Sequence, residues 1–208
     1  PDGANLQALA VRIGGRHHAP FGGFLRLPGI EIVTASPELF LRRRGRQVWS
    51  APIKGTGRTV ADLTDKDVAE NVMIVDLLRH DLAKVSAPGT VEVSALLAVE
   101  HHPGLVHLVS TVPEHLVDGA GWPELLDATL PPGSVSGAPK SSALTAIADL
   151  ETVPRGPYCG AIGWVDADRG TAEAGLSVSA RLEVSLRDEH DHQPGSPKAR
   201  ELANQTEL

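Results

Sequence analysis

Short strand-like runs joined by tight turns constrain the fold of this chain more than any other feature. Four runs rich in β-branched, aromatic and other strand-forming residues follow one another: 21–27, 30–36, 38–44 and 47–53. Pro28-Gly29 separates the first two runs, and the last two flank Gly45. Connections this short join antiparallel neighbours, because parallel strands need a crossover of a dozen or more residues. The sequence therefore predicts two successive hairpins.

Helical periodicity begins downstream, and Thr64–Leu82 is predicted to be a helix capped by Thr64. One predicted face is apolar and carries Val68, Val72, Val75 and Leu82. The other face carries Glu70 together with Ile74 and Leu77. This pattern predicts a helix buried on more than one side, where a carboxylate is costly unless it is paired or bound to a metal.

The remaining elements complete an α+β prediction, with helices packed on mainly antiparallel sheets over residues 1–184. Gly104–Val112 is apolar on both faces, apart from His107 and Ser110, and is predicted as a central strand. Two helices and a last hairpin are expected as well: Pro123–Thr129, Pro139–Leu150 with proline at its first position, and Gly160–Asp166 with Leu176–Glu183, turning near Asp168-Arg169-Gly170.

Composition excludes several functional classes. A formal net charge of -7 and 3% aromatic residues argue against nucleic acid as a partner. The basic run Arg42-Arg43-Arg44 with Arg46 is interpreted as a solvated hairpin tip. A single cysteine, Cys159, and no apolar run of the roughly 20 residues that span a bilayer favour a cytoplasmic protein without a membrane partner.

Residues 185–208 form a polar, charged stretch that we predict to be a disordered tail. It contains His190 and His192, which lack the four-ligand spacing of a zinc site. A solvated tail is the preferred interpretation.

Two segments carry more polar chemistry than packing requires. In APIKGT, Lys54 ends an apolar strand just before a glycine, where partial burial favours the neutral, nucleophilic amine. The alternative is an ordinary surface lysine at the start of a loop. In PPGSVSGAPK, free N–H groups at Gly137 and Ala138, a helix start and Lys140 could bind an anion. A plain helix start explains that segment equally well.

Two carboxylates and a histidine complete the candidates. Glu38 in SPELF lies at a strand edge and is a candidate general acid, whereas Glu70 is a candidate ligand for a hard metal. Each is individually typical of an ordinary carboxylate. His107 alone is more typical of a hydrogen-bonded core histidine than of a catalytic one.

Together, these segments resemble the chorismate-binding enzymes, the family of the anthranilate, aminodeoxychorismate, isochorismate and salicylate synthases. The similarity runs from about His17 to Arg181 and rests on segments in the family's order: SPELF, PIKGT, AENVMIVDLLRHDL, GTVEV, VHLVSTV, PPGSVSGAPK and RGPYCGAIGW. It implies part of that family's catalytic fold, because the segments that follow in the family are not matched by residues 185–208. Lys54 resembles the aminodeoxychorismate synthase branch, since anthranilate and salicylate synthases have alanine there.

The resemblance also implies chemistry for individual residues. Lys54 would attack chorismate, Glu38 would protonate the departing C4 hydroxyl, and His107 would lie against the ring. Glu70 would hold Mg²⁺, and substrate would be bound by Thr56, Gly137, Ala138, Lys140, Tyr158 and Arg181. Ammonia would come from a glutamine amidotransferase subunit or domain. Another chorismate-converting activity, anthranilate synthase included, and an inactive relative that only binds chorismate remain as alternatives.

Overall fold

Tight turns organise the sheets in the computed structural model, which describes residues 5–16 and 19–176. The strands are β1 (Phe21–Leu27), β2 (Ile30–Ser36), β3 (Leu39–Arg44), β4 (Gln47–Ala51), β5 (Ile53–Gly57), β6 (Ala95–His102), β7 (Leu105–His115), β8 (Ala161–Asp166) and β9 (Thr171–Leu176). The helices are α1 (Leu6–Arg16), α2 (Asp65–Ala83), α3 (Trp122–Thr129), α4 (Gly133–Ser136) and α5 (Lys140–Leu150), with a short 3-10 helix at Val60–Asp62. The α+β prediction is confirmed.

Both predicted hairpins form. β1 and β2 pair antiparallel with Leu27 opposite Ile30, and Gly29 turns the chain at φ 78°. β3 and β4 pair around Gly45, whose φ of 58° lies in the left-handed region that favours glycine. The β1–β2 pair is a separate small sheet, whereas β3 and β4 belong to the large one.

The large sheet is built around β7, as predicted for a central strand. β6 pairs with one edge of β7, while β5 and then β4 continue a single antiparallel ladder along the other edge. Pro52 separates β4 from β5, and its carbonyl accepts a hydrogen bond from Ser110 N–H at 3.2 Å. β3, β9 and β8 extend the sheet beyond β4.

The helix α2 begins as predicted but buries a different face. Thr64 caps it by accepting a hydrogen bond from Asp67 N–H. The expectation that Val68 and Val72 face the core is wrong, because these side chains are 38% and 43% exposed. The buried residues of α2 are Asn71, Ile74, Val75, Asp81 and Leu82. Polar side chains with buried partners therefore share the inward face with the apolar ones.

Three further expectations need correction. The last strand begins at Thr171, directly after the turn, and not at Leu176; residues 177–183 lie outside the described part. Pro139 is the N-cap of α5, one position before the first helical residue. The hairpin tip is not merely solvated, because the Arg43 guanidinium lies 5.0 Å from the centre of the Trp122 ring.

No helix in the described part of the chain is both long and apolar enough to span a membrane. The predicted tail, residues 185–208, lies outside the described residues and stays a prediction.

Candidate active site

Glu38 directly precedes β3, and Lys54 lies near the start of β5, close enough to Glu38 for their charges to interact. Ser36 Oγ accepts a hydrogen bond from Glu38 N–H at 3.2 Å, which fixes the backbone before β3. Burial raises the pKa of Glu38 from 4.5 to about 7, although a hydrogen bond from the Ile53 backbone and the positive charge of Lys54 both oppose that rise. A carboxyl with this pKa is protonated in a large fraction of molecules at neutral pH and can donate a proton.

Lys54 lies in a bulge of β5 and is partly buried. The register with β7 shifts between Ile53 and Thr56, and Gly55 takes a φ of 96°. A Cβ at Gly55 would come within 2.9 Å of the Asp67 Cβ, so glycine permits both the backbone conformation and the close approach of α2. Lys54 is therefore held in a strand, which differs from the alternative of a surface loop lysine.

Thr56 and His107 face each other across β5 and β7. Thr56 Oγ1 lies 2.9 Å from His107 Nδ1, and the ring of His102 packs edge-on against His107 with centroids 5.1 Å apart. Burial, with a smaller contribution from His102, lowers the pKa of His107 below 6.5, and Glu100 opposes the shift. His107 is thus a buried, hydrogen-bonded histidine whose neutral form is favoured at pH 7.

Glu70 does not lie in an apolar environment, which corrects the expectation from sequence. Its side chain is 42% exposed and pairs with Lys66 at 3.3 Å. Among the residues that the structure describes, no cluster of three or more His, Cys, Asp or Glu side chains could hold a metal. An exposed carboxylate nevertheless fits Mg²⁺, which prefers oxygen ligands and often takes only one or two carboxylates besides water and substrate.

The glycine-rich segment before α5 is tied to α2 and α3. Gly137 N–H donates to Gly133 O at 3.0 Å, so the expectation of a free amide at that position is wrong. Lys140 Nζ lies 2.7 Å from Asp81 Oδ2 and donates to Ala128 O at 3.1 Å. Lys84 Nζ pairs with the same carboxylate at 2.9 Å from Asp81 Oδ1, so two lysines neutralise the buried Asp81. Ala138 is exposed.

Tyr158 and Arg181 are the remaining predicted site residues. Tyr158 is 49% exposed, and its N–H donates to Arg155 O at 3.2 Å. Arg181 lies outside the described residues, so its predicted role stays a prediction.

A small cavity of about 30 Å³ lies behind the Glu38 end of β3. Glu38 lines it together with Asp81 of α2, Thr129 of α3 and Ser134 of α4. This volume is large enough to hold a water molecule. The carboxylates of Glu38 and Asp81 therefore line the same cavity, whose other lining side chains are mostly apolar.

Sequence reasoning missed three buried polar residues around the site: Asn71, Asp81 and Ser110. Asn71 and Asp81 lie in the same segment as Glu70, but the helical pattern attracted attention only to the apolar positions and to Glu70. In the sequence, Ser110 stands out only as an interruption of an apolar strand. All three could have been found in the sequence as polar residues within otherwise apolar elements, because a buried polar side chain needs a hydrogen-bond partner.

Comparison with known proteins shows what this chain is similar to. A family model described as chorismate binding enzyme matches residues 4–181. Anthranilate synthase component 1 1 of Haloarcula marismortui is 38% identical over 190 residues, which cover 86% of this chain and 38% of that protein. Aminodeoxychorismate synthase component 1 of Salmonella typhimurium is 40% identical over 176 residues, which cover 79% of this chain and 38% of that protein.

The fold agrees as well. The crystal structure of anthranilate synthase component I from Streptococcus pneumoniae TIGR4 matches with a TM-score of 0.75 and 31% identity, over 84% of this chain and 41% of that chain. The chain spans about two fifths of the length of these relatives. Because the family model covers most of the sequence, the chain belongs to the chorismate-binding enzyme family.

Proposed function

We propose that this chain forms part of an aminodeoxychorismate synthase component I, which aminates chorismate at C4 to give 4-amino-4-deoxychorismate. One observation carries the proposal: Lys54 lies beside Glu38, whose pKa is raised to about 7. An amine nucleophile next to a carboxyl that can donate a proton is the combination that such a substitution requires.

The proposed chemistry uses these two groups in sequence. Lys54 Nζ forms a bond to ring C2 while the C4 hydroxyl departs as water, taking its proton from Glu38. Ammonia then forms a bond to C4, the ring double bonds that shifted in the first step move back, and the bond between C2 and Lys54 Nζ breaks, which regenerates the amine. One proton of the new C4 ammonium group returns to Glu38. The partial burial of both residues favours this chemistry, because a site with little water strengthens the interaction between the acid and the leaving group.

Substrate binding is proposed for the residues around this pair. His107, supported by Thr56, would lie against the ring as a neutral imidazole. The Ala138 backbone would contribute to holding a carboxylate, and Tyr158 and Arg181 would hold the pyruvyl carboxylate. For Gly137 and Lys140 to take part, each would first have to give up the hydrogen bond or ion pair described above.

Mg²⁺ is part of the proposal, with Glu70 as one ligand. When bound, this ion supplies a Lewis acid and a template for an oxygen-rich substrate. The Glu70 carboxylate is accessible, and its exposed partner Lys66 is an easily displaced competitor.

The proposal includes a glutamine amidotransferase partner, as a subunit or a domain, because the proposed reaction consumes ammonia. The name of the Salmonella relative, component 1, is consistent with a multi-component enzyme. A cytoplasmic location is proposed on the single cysteine in the sequence.

Anthranilate synthase component I is the second candidate, and the named relatives favour it as strongly. Lys54 separates the two, because the resemblance places alanine at this position in anthranilate synthases. A relative that binds chorismate without converting it is the third candidate, given that the chain spans only part of its relatives.

Chorismate consumption in the presence of Mg²⁺ and ammonium tests the proposal, with products identified by mass. We expect the wild-type chain to form aminodeoxychorismate and Lys54→Ala to lose at least about 100-fold in rate, as removal of a covalent nucleophile requires. Arg79→Ala, which removes an exposed cation of α2, is the matched control and should keep the wild-type rate.

Three outcomes would contradict the proposal in different ways. Formation of anthranilate would assign the second candidate. Binding of chorismate without turnover by a folded chain would assign the third. Aminodeoxychorismate formation that survives Lys54→Ala would leave the product assignment intact but would refute the role of the lysine.

A further inference from the structure

Two bulges flank the central strand β7, and a buried pair of polar side chains lies between them. One bulge interrupts β5 at Lys54 and Gly55. The other interrupts β6 at Leu97, which takes a left-handed φ of 58°. Asn71 of α2 and Ser110 of β7 are both completely buried. Buried polar groups are retained where they satisfy other polar groups, so their partners show what they support.

A continuous chain of hydrogen bonds joins the two bulges. Leu97 N–H donates to Ser110 Oγ at 3.0 Å, and Ser110 Oγ donates to Asn71 Oδ1 at 2.5 Å. Asn71 Nδ2 then donates to Leu108 O at 3.0 Å and to Lys54 O at 3.4 Å. A flipped amide would direct its oxygen at two carbonyl oxygens, so the two acceptors fix the orientation of Asn71.

We infer that Asn71, supported by Ser110, is a positioning residue for Lys54. A bulge leaves its extra residue outside the regular ladder, which weakens the constraint on the backbone at that point. The Asn71 amide supplies an alternative donor to the Lys54 carbonyl and anchors it to Leu108 on β7. The Lys54 amine therefore starts from a backbone that α2 and β7 hold jointly.

The position of Asn71 in the sequence adds a second consequence. Asn71 directly follows Glu70, so one turn of α2 carries both the proposed metal ligand and the residue that holds the Lys54 backbone. A shift of α2 relative to β5 would change both contacts at once. The catalytic consequence of this inference rests on the proposed function, whereas the structural coupling between Asn71 and Lys54 does not.

The test separates positioning from ordinary core stability. Asn71→Ala and Asn71→Asp remove the donor to Lys54 O. Ser110→Ala keeps that donor but removes the partner of the amide oxygen, together with the acceptor for Leu97 N–H. Ser86→Ala is the matched control, because Ser86 is also buried and its hydroxyl donates to Leu82 O at 2.7 Å at the far end of α2. Urea unfolding shows which variants are folded.

The primary readout is the reactivity of Lys54 itself. Trace acetylation with acetic anhydride, mapped by mass spectrometry, gives the ratio of modification at Lys54 to that at Lys66, whose side chain is 82% exposed. We expect Asn71→Ala and Asn71→Asp to change this ratio by about 3-fold or more, Ser110→Ala to change it less in the same direction, and Ser86→Ala to leave it unchanged.

Turnover gives the second readout if the wild-type chain is active. We expect Asn71→Ala to lower kcat by about 10-fold to 100-fold with KM within about 3-fold, because a misplaced nucleophile affects the reacting state more than binding. If the wild type forms no product, the proposed function fails, and the acetylation ratio alone decides this inference.

Two results would overturn the inference. One is an acetylation ratio in the folded Asn71 variants that equals the wild-type ratio. If those variants do not fold, an unchanged ratio in Ser110→Ala has the same meaning. The other is an equal change in Ser86→Ala, which would show that general loosening of α2 exposes the lysine.

Discussion

Replacing Glu38 with glutamine should remove a specific pH dependence from the stability of the fold. Burial holds the pKa of Glu38 at about 7 instead of 4.5, and glutamine keeps the acceptor for the Ile53 backbone without ionising. Each tenfold change in proton affinity is worth about 1.4 kcal/mol, so the difference between pKa values of 4.5 and about 7 corresponds to about 3 kcal/mol. Ionised Glu38 therefore costs the folded state up to about that amount.

The sign follows from the higher pKa in the folded state. The contribution of neutral Glu38 is fully present below pH 4.5 and is lost as pH rises through about 7. Urea unfolding of the wild type and Glu38→Gln at pH about 4.5 and about 8 should give similar free energies at the lower pH and an advantage of about 3 kcal/mol for Glu38→Gln at the higher one. Glu92→Gln, at an exposed carboxylate, should show the wild-type pH dependence.

Parallel pH dependences for the wild type and Glu38→Gln would refute the reasoning. They would show that Glu38 ionises with equal ease in the folded and unfolded chain. The carboxyl would then be charged at neutral pH, and it could not serve as the proton donor in the proposed amination.

The remaining predictions concern the buried contacts of α2. Asp81→Asn should lower the free energy of unfolding in urea by about 3 kcal/mol, because it leaves the largely buried Lys140 without its carboxylate partner. Lys140→Met should cost less, because Lys84 Nζ still pairs with Asp81 Oδ1 at 2.9 Å. The Asp81→Asn/Lys140→Met double variant should lose less than the sum of the two single losses; additive losses would show that Asp81 and Lys140 do not interact. Gly133→Ala should destabilise by about 1–3 kcal/mol, since its Cβ would overlap the Leu77 side chain, and Leu77→Ala should relieve that loss; equal losses in both backgrounds would contradict the overlap.

The sheet could be predicted from sequence because its determinants are local. Gly29 and Gly45 both adopt the positive φ that their turns require, and each turn fixes the pairing of the strands beside it. The central position of β7 follows from a run that is apolar on both faces. The start of β9 could not be predicted, because residues 171–175 (TAEAG) contain only one β-branched residue, Thr171, and no aromatic residue to mark a strand.

The candidate site could be predicted only in part, because its polar contacts join distant segments. The sequence offers Glu38 and Lys54 as candidates, but neither the raised pKa of Glu38 nor the Gly55 bulge can be predicted from spacing. Asp81 and Lys140 meet across α2 and α5, and no periodic pattern links them. The segment containing Lys140 therefore resembled an anion site in sequence, although its lysine already has an acidic partner.

The wrong prediction of the buried face of α2 explains both why Asn71 and Asp81 were missed and why Glu70 was expected to be buried. A hydrophobic pattern assigns the buried face from apolar residues, but Asn71 and Asp81 are buried because Ser110, Lys54 O and Lys140 satisfy them. Those partners rotate the buried face away from Val68 and Val72 and leave Glu70 accessible. The helix is thus oriented by polar contacts as well as by its apolar residues. Because one of these contacts, from Asn71, also holds the Lys54 backbone, the orientation of α2 and the placement of the proposed nucleophile are coupled.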